Sequence, residues 1–234
     1  MQIIKTEAFV LKCLKYGETS KIVTLFTKDF GKMNAIVKGV RNYKSRICGT
    51  MESMNYISAV IYIKENRELQ LVSNAEYKRS FPGIVKDFDK IEIAFKIIEL
   101  VNKSVVENYI NSRIFDLLIQ MFSGLEKADK NYSNYLLYFQ INLSKILGLL
   151  PEFTEDYYEH ETFFSLNEFY MTRSNFEKFY MFNKSSLEDI GSIESEPASM
   201  KKLIINYERF ISLHTQGLAN FKSNKVFKEL NTNN

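Results

Sequence analysis

The chain has little of what most enzymes and most membrane or secreted proteins need. It has two cysteines, Cys13 and Cys48, with no CxxC spacing, so neither a disulfide framework nor a zinc ribbon is indicated. The two histidines, His160 and His214, lie far apart and have no His or Cys neighbour at ligand spacing. A zinc site needs three or four such ligands, so no metal is expected. No GxxxxGK[ST] loop is present, because Gly17-Glu18-Thr19-Ser20-Lys21 lacks the glycine spacing that surrounds a phosphate with N–H groups, and no GxGxxG opens a helix. No apolar run approaches the roughly 18 residues of a membrane span. The start Met1-Gln2-Ile3-Ile4-Lys5 lacks the pattern of a signal peptide, so a cytoplasmic protein with no membrane association is expected. Asn102-Lys103-Ser104 and Asn131-Tyr132-Ser133 are then chance matches to a glycosylation signal.

What is present is a globular composition, 45% hydrophobic and 25% charged over 234 residues, with few glycines and prolines. The net charge of +3 hides an asymmetry. Residues 1–80 hold fourteen Lys/Arg against seven Asp/Glu, while the remainder is net acidic. A basic first third suggests a polyanion-binding module, although a solvated basic surface has the same composition.

The two parts also differ in period. Residues 3–77 read as five strands: Ile3 to Lys12, Lys21 to Thr27, Lys32 to Val40, Met54 to Lys64 and Leu69 to Tyr77, with turns at Tyr16-Gly17-Glu18 and Asp29-Phe30-Gly31. Five short strands with a loop after the third fit a small barrel, whose closure hides strand edges. After Phe81-Pro82-Gly83 the apolar spacing becomes helical, as at Ile91, Ala94, Phe95, Ile98 and Val101. Further helices are expected over 114–122, 136–147 and 174–182, with Ser174 as N-cap and Gly148 as a C-cap. A helix opening at Pro197 should run to Leu213, with a short one over 224–230. Residues 152–170 are acidic and aromatic and show no clear period. Their cluster Glu152, Glu155, Asp156, Glu159 and Glu161 fits a solvated acidic loop better than a cation site. Asp87 and Asp89 suit the N-terminus of the following helix better than acid–base work.

The segment that carries chemistry is Lys38-Gly39-Val40-Arg41-Asn42-Tyr43-Lys44-Ser45-Arg46. Four cations serve a phosphate chain, and Tyr43 offers a face on which a base can stack. A flexible loop would let both follow an irregular single strand, with Gly39 permitting a bend or a close approach. By period two, Lys32, Asn34 and Lys38 share a face, which Lys21 on the paired strand is expected to extend. Lys222, Lys225 and Lys228 would prolong the track, or simply suit a helix end. An ordinary exposed loop kept soluble by lysines explains the cluster as well.

The run from Tyr16 to Thr27, then Gly31, Val37-Lys38-Gly39-Val40-Arg41 and Ser45-Arg46, closely resembles the N-terminal OB-fold of the RecO family. Glu76 before Ser80-Phe81, Ile146-Leu147-Gly148-Leu149-Leu150-Pro151, and Tyr207, His214, Ser223, Val226 and Leu230 agree with it. The resemblance implies an α+β chain, with a five-stranded OB-fold β-barrel over residues 1–80 and an all-α helical domain over 81–234 that docks partners. It implies a non-enzymatic mediator, free of cofactors, that binds single- and double-stranded DNA and anneals complementary strands. RecR and the C-terminal tail of the single-stranded-DNA-binding protein are the implied partners, with RecA loaded indirectly and the protein associated with the nucleoid. Lys21, Lys32, Lys38, Arg41, Tyr43, Lys44 and Arg46 are the DNA-contact candidates. Many family members carry a four-cysteine zinc cluster after the position of Gly148–Pro151, and this chain has no Cys there. Its region 152–170 is therefore expected to be held by packing of residues such as Phe153, Tyr157, Phe163 and Phe169. The rival reading is a protein–protein adaptor with an OB-fold and no intrinsic DNA activity.

Overall fold

A computed structural model describes residues 1–151, 162–164 and 170–215. Five strands open the chain: β1 (Gln2–Tyr16), β2 (Ser20–Thr27), β3 (Gly31–Val37), β4 (Tyr56–Ile63) and β5 (Leu69–Arg79). They close into a barrel in the order β1-β2-β3-β5-β4, in which only β3 and β5 run parallel. This is the connectivity of the expected OB-fold, and α-helices follow it.

Alternation drives the closure. In β3, Met33, Ala35 and Val37 are buried while Lys32, Asn34 and Ile36 stand on the outer side. The inward set joins Val10, Val23, Leu25, Ile57, Ala59, Ile61 and Val72 in one core. The first strand runs four residues further than its β-forming residues suggested. A bulge between Val10 and Lys12 absorbs Leu11 and restores the register, so pairing with β2 continues to Tyr16↔Ser20.

The chain groups into two compact units. One holds residues 1–82 and 94–115, the other 83–93 and 116–215 among those described. In the first unit Phe115 meets an aromatic row on the outer side of the barrel. Its ring lies 5.6 Å from Phe9, 5.9 Å from Tyr56 and 6.1 Å from Phe26, and all four rings are buried.

The helices are α1 (Pro82–Val85), α2 (Phe88–Ser104), α3 (Ser112–Lys127), α4 (Tyr132–Leu147), α5 (Arg173–Lys184) and α6 (Pro197–His214). The Asp87 side chain accepts the N–H groups of Asp89 and Lys90 at 3.0 and 3.2 Å and so caps α2. Helix α4 ends in a Schellman motif. Gly148 has φ +70°, and the N–H groups of Gly148 and Leu149 donate to the Lys145 and Ser144 carbonyls. The N-cap of α5 is Thr172 rather than Ser174: its hydroxyl accepts from the Asn175 N–H, two residues before the expected start. A short hairpin of β6 (Thr162–Phe164) and β7 (Tyr170–Thr172) precedes it. In the second unit the core gathers on Tyr207, against Phe179 at 5.0 Å and Phe210 at 5.6 Å. The expected helix over 224–230 and the aromatic packing of 152–170 lie outside what the structure describes.

Candidate nucleic-acid interface

The connector between β3 and β4 spans eighteen residues, and it is not the loose loop that its glycines and cations suggested. Consecutive turns stitch it together: the N–H of Asn42 donates to the Gly39 carbonyl, Ser45 to Asn42, and Cys48 to Ser45, at 2.9–3.1 Å. The Asn55 amide donates to the carbonyls of Gly49 and Thr50, and the Tyr77 hydroxyl to that of Gly49. Between the cations, Val40, Ile47 and Met51 turn inward and join the barrel core. Burying these three side chains orders the backbone, and it leaves the polar residues between them facing water. The signal was present in the sequence as apolar residues within a basic run.

Lys38, Arg41, Lys44 and Arg46 are all exposed, and Tyr43 is 82% exposed. The Lys44 ammonium lies 5.6 Å from the centre of the Tyr43 ring. No Asp or Glu occurs from Phe30 through Met51. Among the described residues none of the four cations pairs with a carboxylate. Arg41 is also a fastener. Its N–H donates to the Thr19 carbonyl at 2.9 Å and its guanidinium to that of Gly17 at 3.0 Å, tying the loop to the β1–β2 turn. Gly39, at φ +67°, supplies a left-handed bend; a Cβ there would meet nothing within 4 Å, so no close approach depends on it.

Two other candidates are placed differently. Lys21 does not extend the Lys32–Asn34–Lys38 face. It is directly opposite Val37, whose side chain points into the core, and direct partners share a face. Its ammonium is engaged by Glu52 at the edge of the barrel. Lys32 is on the outer side as expected, but half-buried, and its ammonium donates to the Asn102 carbonyl at 2.8 Å. Burial holds its pKa below the ordinary lysine value, against the pull of the Glu107 carboxylate. Asn34 also donates to Glu107, so this end of the face is occupied by the protein's own 94–115 segment. The structure thus brings Lys38, Arg41, Tyr43, Lys44 and Arg46 together on one loop, with Lys21 and Lys32 held elsewhere. Lys222, Lys225 and Lys228 lie outside the described residues.

Among the described residues no group of His, Cys, Asp or Glu could hold a metal ion. No described helix is long and apolar enough to cross a membrane.

Residues 1–81 match the family model described as Recombination protein O N terminal, and residues 85–224 the one described as Recombination protein O C terminal. The chain is similar to a protein of Salinibacter ruber named DNA repair protein RecO, 36% identical over 149 residues, which cover 64% of this chain and 57% of that protein. A protein of the same name from Chloroherpeton thalassium is 32% identical over 151 residues, 64% of this chain and 58% of the relative. The match to the one from Chlorobium phaeobacteroides is longer, 30% identical over 216 residues, 92% of this chain and 78% of the relative. The aligned part is under two thirds of the length of the first two relatives.

Proposed function

The chain belongs to the recombination protein O family, and from that premise we propose that it is a non-enzymatic mediator of recombinational DNA repair. It binds single- and double-stranded DNA through the β3–β4 loop and anneals complementary strands. With RecR and the tail of the single-stranded-DNA-binding protein it helps RecA onto coated DNA. One observation carries the DNA-binding part: an ordered loop presents Lys38, Arg41, Lys44, Arg46 and the exposed Tyr43 with no carboxylate among them.

The mechanism is charge screening. Two strands approach only if their phosphates are neutralised, and cations that touch the backbone leave the base edges free to pair. Arg41 and Lys44 neutralise phosphates, and Tyr43 supports an unpaired base. Such binding has little sequence preference and weakens steeply with salt.

The test is annealing of complementary oligonucleotides coated with the cognate single-stranded-DNA-binding protein, with and without this protein. Acceleration is expected, fading as salt rises from ~50 to ~200 mM. Coated strands that stay apart, with naked DNA still bound, would reduce the protein to a general DNA binder. Partner binding with no affinity for naked DNA would make it an adaptor.

A further inference from the structure

The connection between α2 and α3 presents apolar side chains to water from a fixed backbone. Residues 106–110 are all exposed, and among them Val106 is 68%, Tyr109 41% and Ile110 58% exposed. The segment is nonetheless ordered. The Asn108 N–H donates to the Lys32 carbonyl at 2.9 Å, and the Asn34 side chain donates to the Glu107 carboxylate. The Tyr109 carbonyl packs so closely on Gly31 that a Cβ there would stand 2.4 Å from its oxygen. The Tyr109 hydroxyl accepts from Asn111, whose own side chain accepts the Ile114 N–H in the first turn of α3. Exposed apolar anchors on a backbone that cannot retract mark a contact surface, because little ordering remains to be lost on binding.

The same segment borders a cleft of about 390 Å³. Met33 and Ile63 give the cleft an apolar lining, and the β4–β5 turn lines it together with Glu107 and Asn108. Gln70 holds that turn: its side chain accepts the Lys64 N–H and donates to the Lys64 and Arg67 carbonyls. A projection and a recess therefore lie side by side, both ordered. Their rim carries exposed Glu65, Glu68 and Glu107 against exposed Lys64, Arg67 and Arg113, an equal number of each sign. Among the described residues none of these three cations pairs with a carboxylate. These features select the occupant. A uniformly anionic nucleic acid gains nothing from a rim of balanced charge. A face with projection beside recess and mixed charge is instead its own complement. Under a two-fold axis each copy's projection enters the other's recess, and the acids of one rim meet the bases of the other.

We propose that this face docks a second copy of the chain, with Tyr109 and Ile110 of each copy entering the cleft of the other. The face is smaller than the roughly 20–30 residues a side of a stable interface, so the dimer is reversible and forms in the micromolar range. The face lies at the Gly31 end of β3, and the basic loop begins beyond Val37, about 20 Å further along the strand. Both loops therefore stay uncovered, and one dimer carries two phosphate sites, one for each strand to be annealed. The two-strand consequence rests on the loop being the phosphate site, and the dimer itself does not.

The experiment is sedimentation equilibrium of the DNA-free protein from ~1 to ~200 µM, a range in which the wild type should pass from monomer to dimer. Ile110→Asp places a charge at the centre of the face and should raise the dissociation constant at least about thirtyfold. A second measurement does not depend on that variant. In a Cys13→Ser, Cys48→Ser background, chains carrying Ile110→Cys should cross-link under a mild oxidant to chains carrying Asn66→Cys, which lines the recess. A wild type that stays monomeric throughout would overturn the proposal and leave the face to a different protein. A dimer that Ile110→Asp leaves intact, or one in which positions 110 and 66 never cross-link, would overturn it as well. Failure of the loop reading shows separately, as Arg41→Glu with Lys44→Glu leaving DNA affinity intact in a protein that still dimerises.

Discussion

Two faces of one barrel carry lysines in opposite states. On the β1–β4–β5 face, Lys78 pairs with Glu7 at 2.7 Å and Lys5 with Glu76 at 4.0 Å. Ser58 on β4 is the direct neighbour of both Glu7 and Glu76, and so small a side chain leaves room for long ones on β1 and β5 to meet across it. Burial alone would raise the Glu7 pKa, but hydrogen bonds from Lys78 and Tyr56 outweigh it and hold the carboxyl below its ordinary value. Among the described residues the four cations of the β3–β4 loop have no such neighbours. A paired lysine has already given its charge to the protein, and one without a carboxylate is available to a ligand. Local charge composition therefore says less about binding than the spacing of acids among the bases.

Reversing charge on each face tests this contrast directly. Arg41→Glu with Lys44→Glu should weaken DNA binding about a hundredfold at ~0.1 M salt and lower the salt slope by about two, while the lost Arg41–Gly17 hydrogen bond costs no more than about 1 kcal/mol of stability. The matching reversal Lys5→Glu with Lys78→Glu should change affinity by no more than about twofold in a filter-binding or anisotropy titration. Equal effects from the two pairs would mean that overall charge, rather than the loop, governs binding.

The loop's order gives the next effect in size. Ile47→Ala removes an anchor that is 7% exposed and should cost about 2 kcal/mol in denaturant unfolding. It should also weaken DNA binding, since the cations would then have to be ordered on contact. Unchanged affinity would show that the loop's order is irrelevant to its ligand.

The smallest effect belongs to the paired face. Glu7→Gln should cost at most about 1 kcal/mol. Because the folded Glu7 pKa lies below the ordinary 4.5, its stabilisation is complete above that pH and is lost as pH falls through the folded value. The stability difference between wild type and Glu7→Gln should therefore shrink in acid and be constant from pH 6 to 8. A difference that grew in acid would contradict the pairing.

Much of the fold was legible in the chain. Alternation at period two found five strands within a few residues of their bounds, because inward and outward positions of a barrel differ in polarity along each strand. Gly148 and Pro197 marked helix ends because their backbone preferences are local, and Asp87 was readable as a helix-start carboxylate for the same reason. Thr172 was missed as a cap because Ser174 offers the same chemistry two residues later, and only the helix's actual first turn selects between them.

The candidate interface was half legible. Composition alone identified the cations and the aromatic residue of the loop, since phosphate and base contacts demand those residue types. Register decided the rest. Lys21 falls on Val37's face, and Lys32 is taken by the Asn102 carbonyl seventy residues away. Periodicity fixes which residues of one strand share a face, but not which residues of another strand stand beside them. That depends on a bulge at Leu11, on the β3–β5 pairing and on which outer row Phe115 covers, and these are set only when the chain closes on itself.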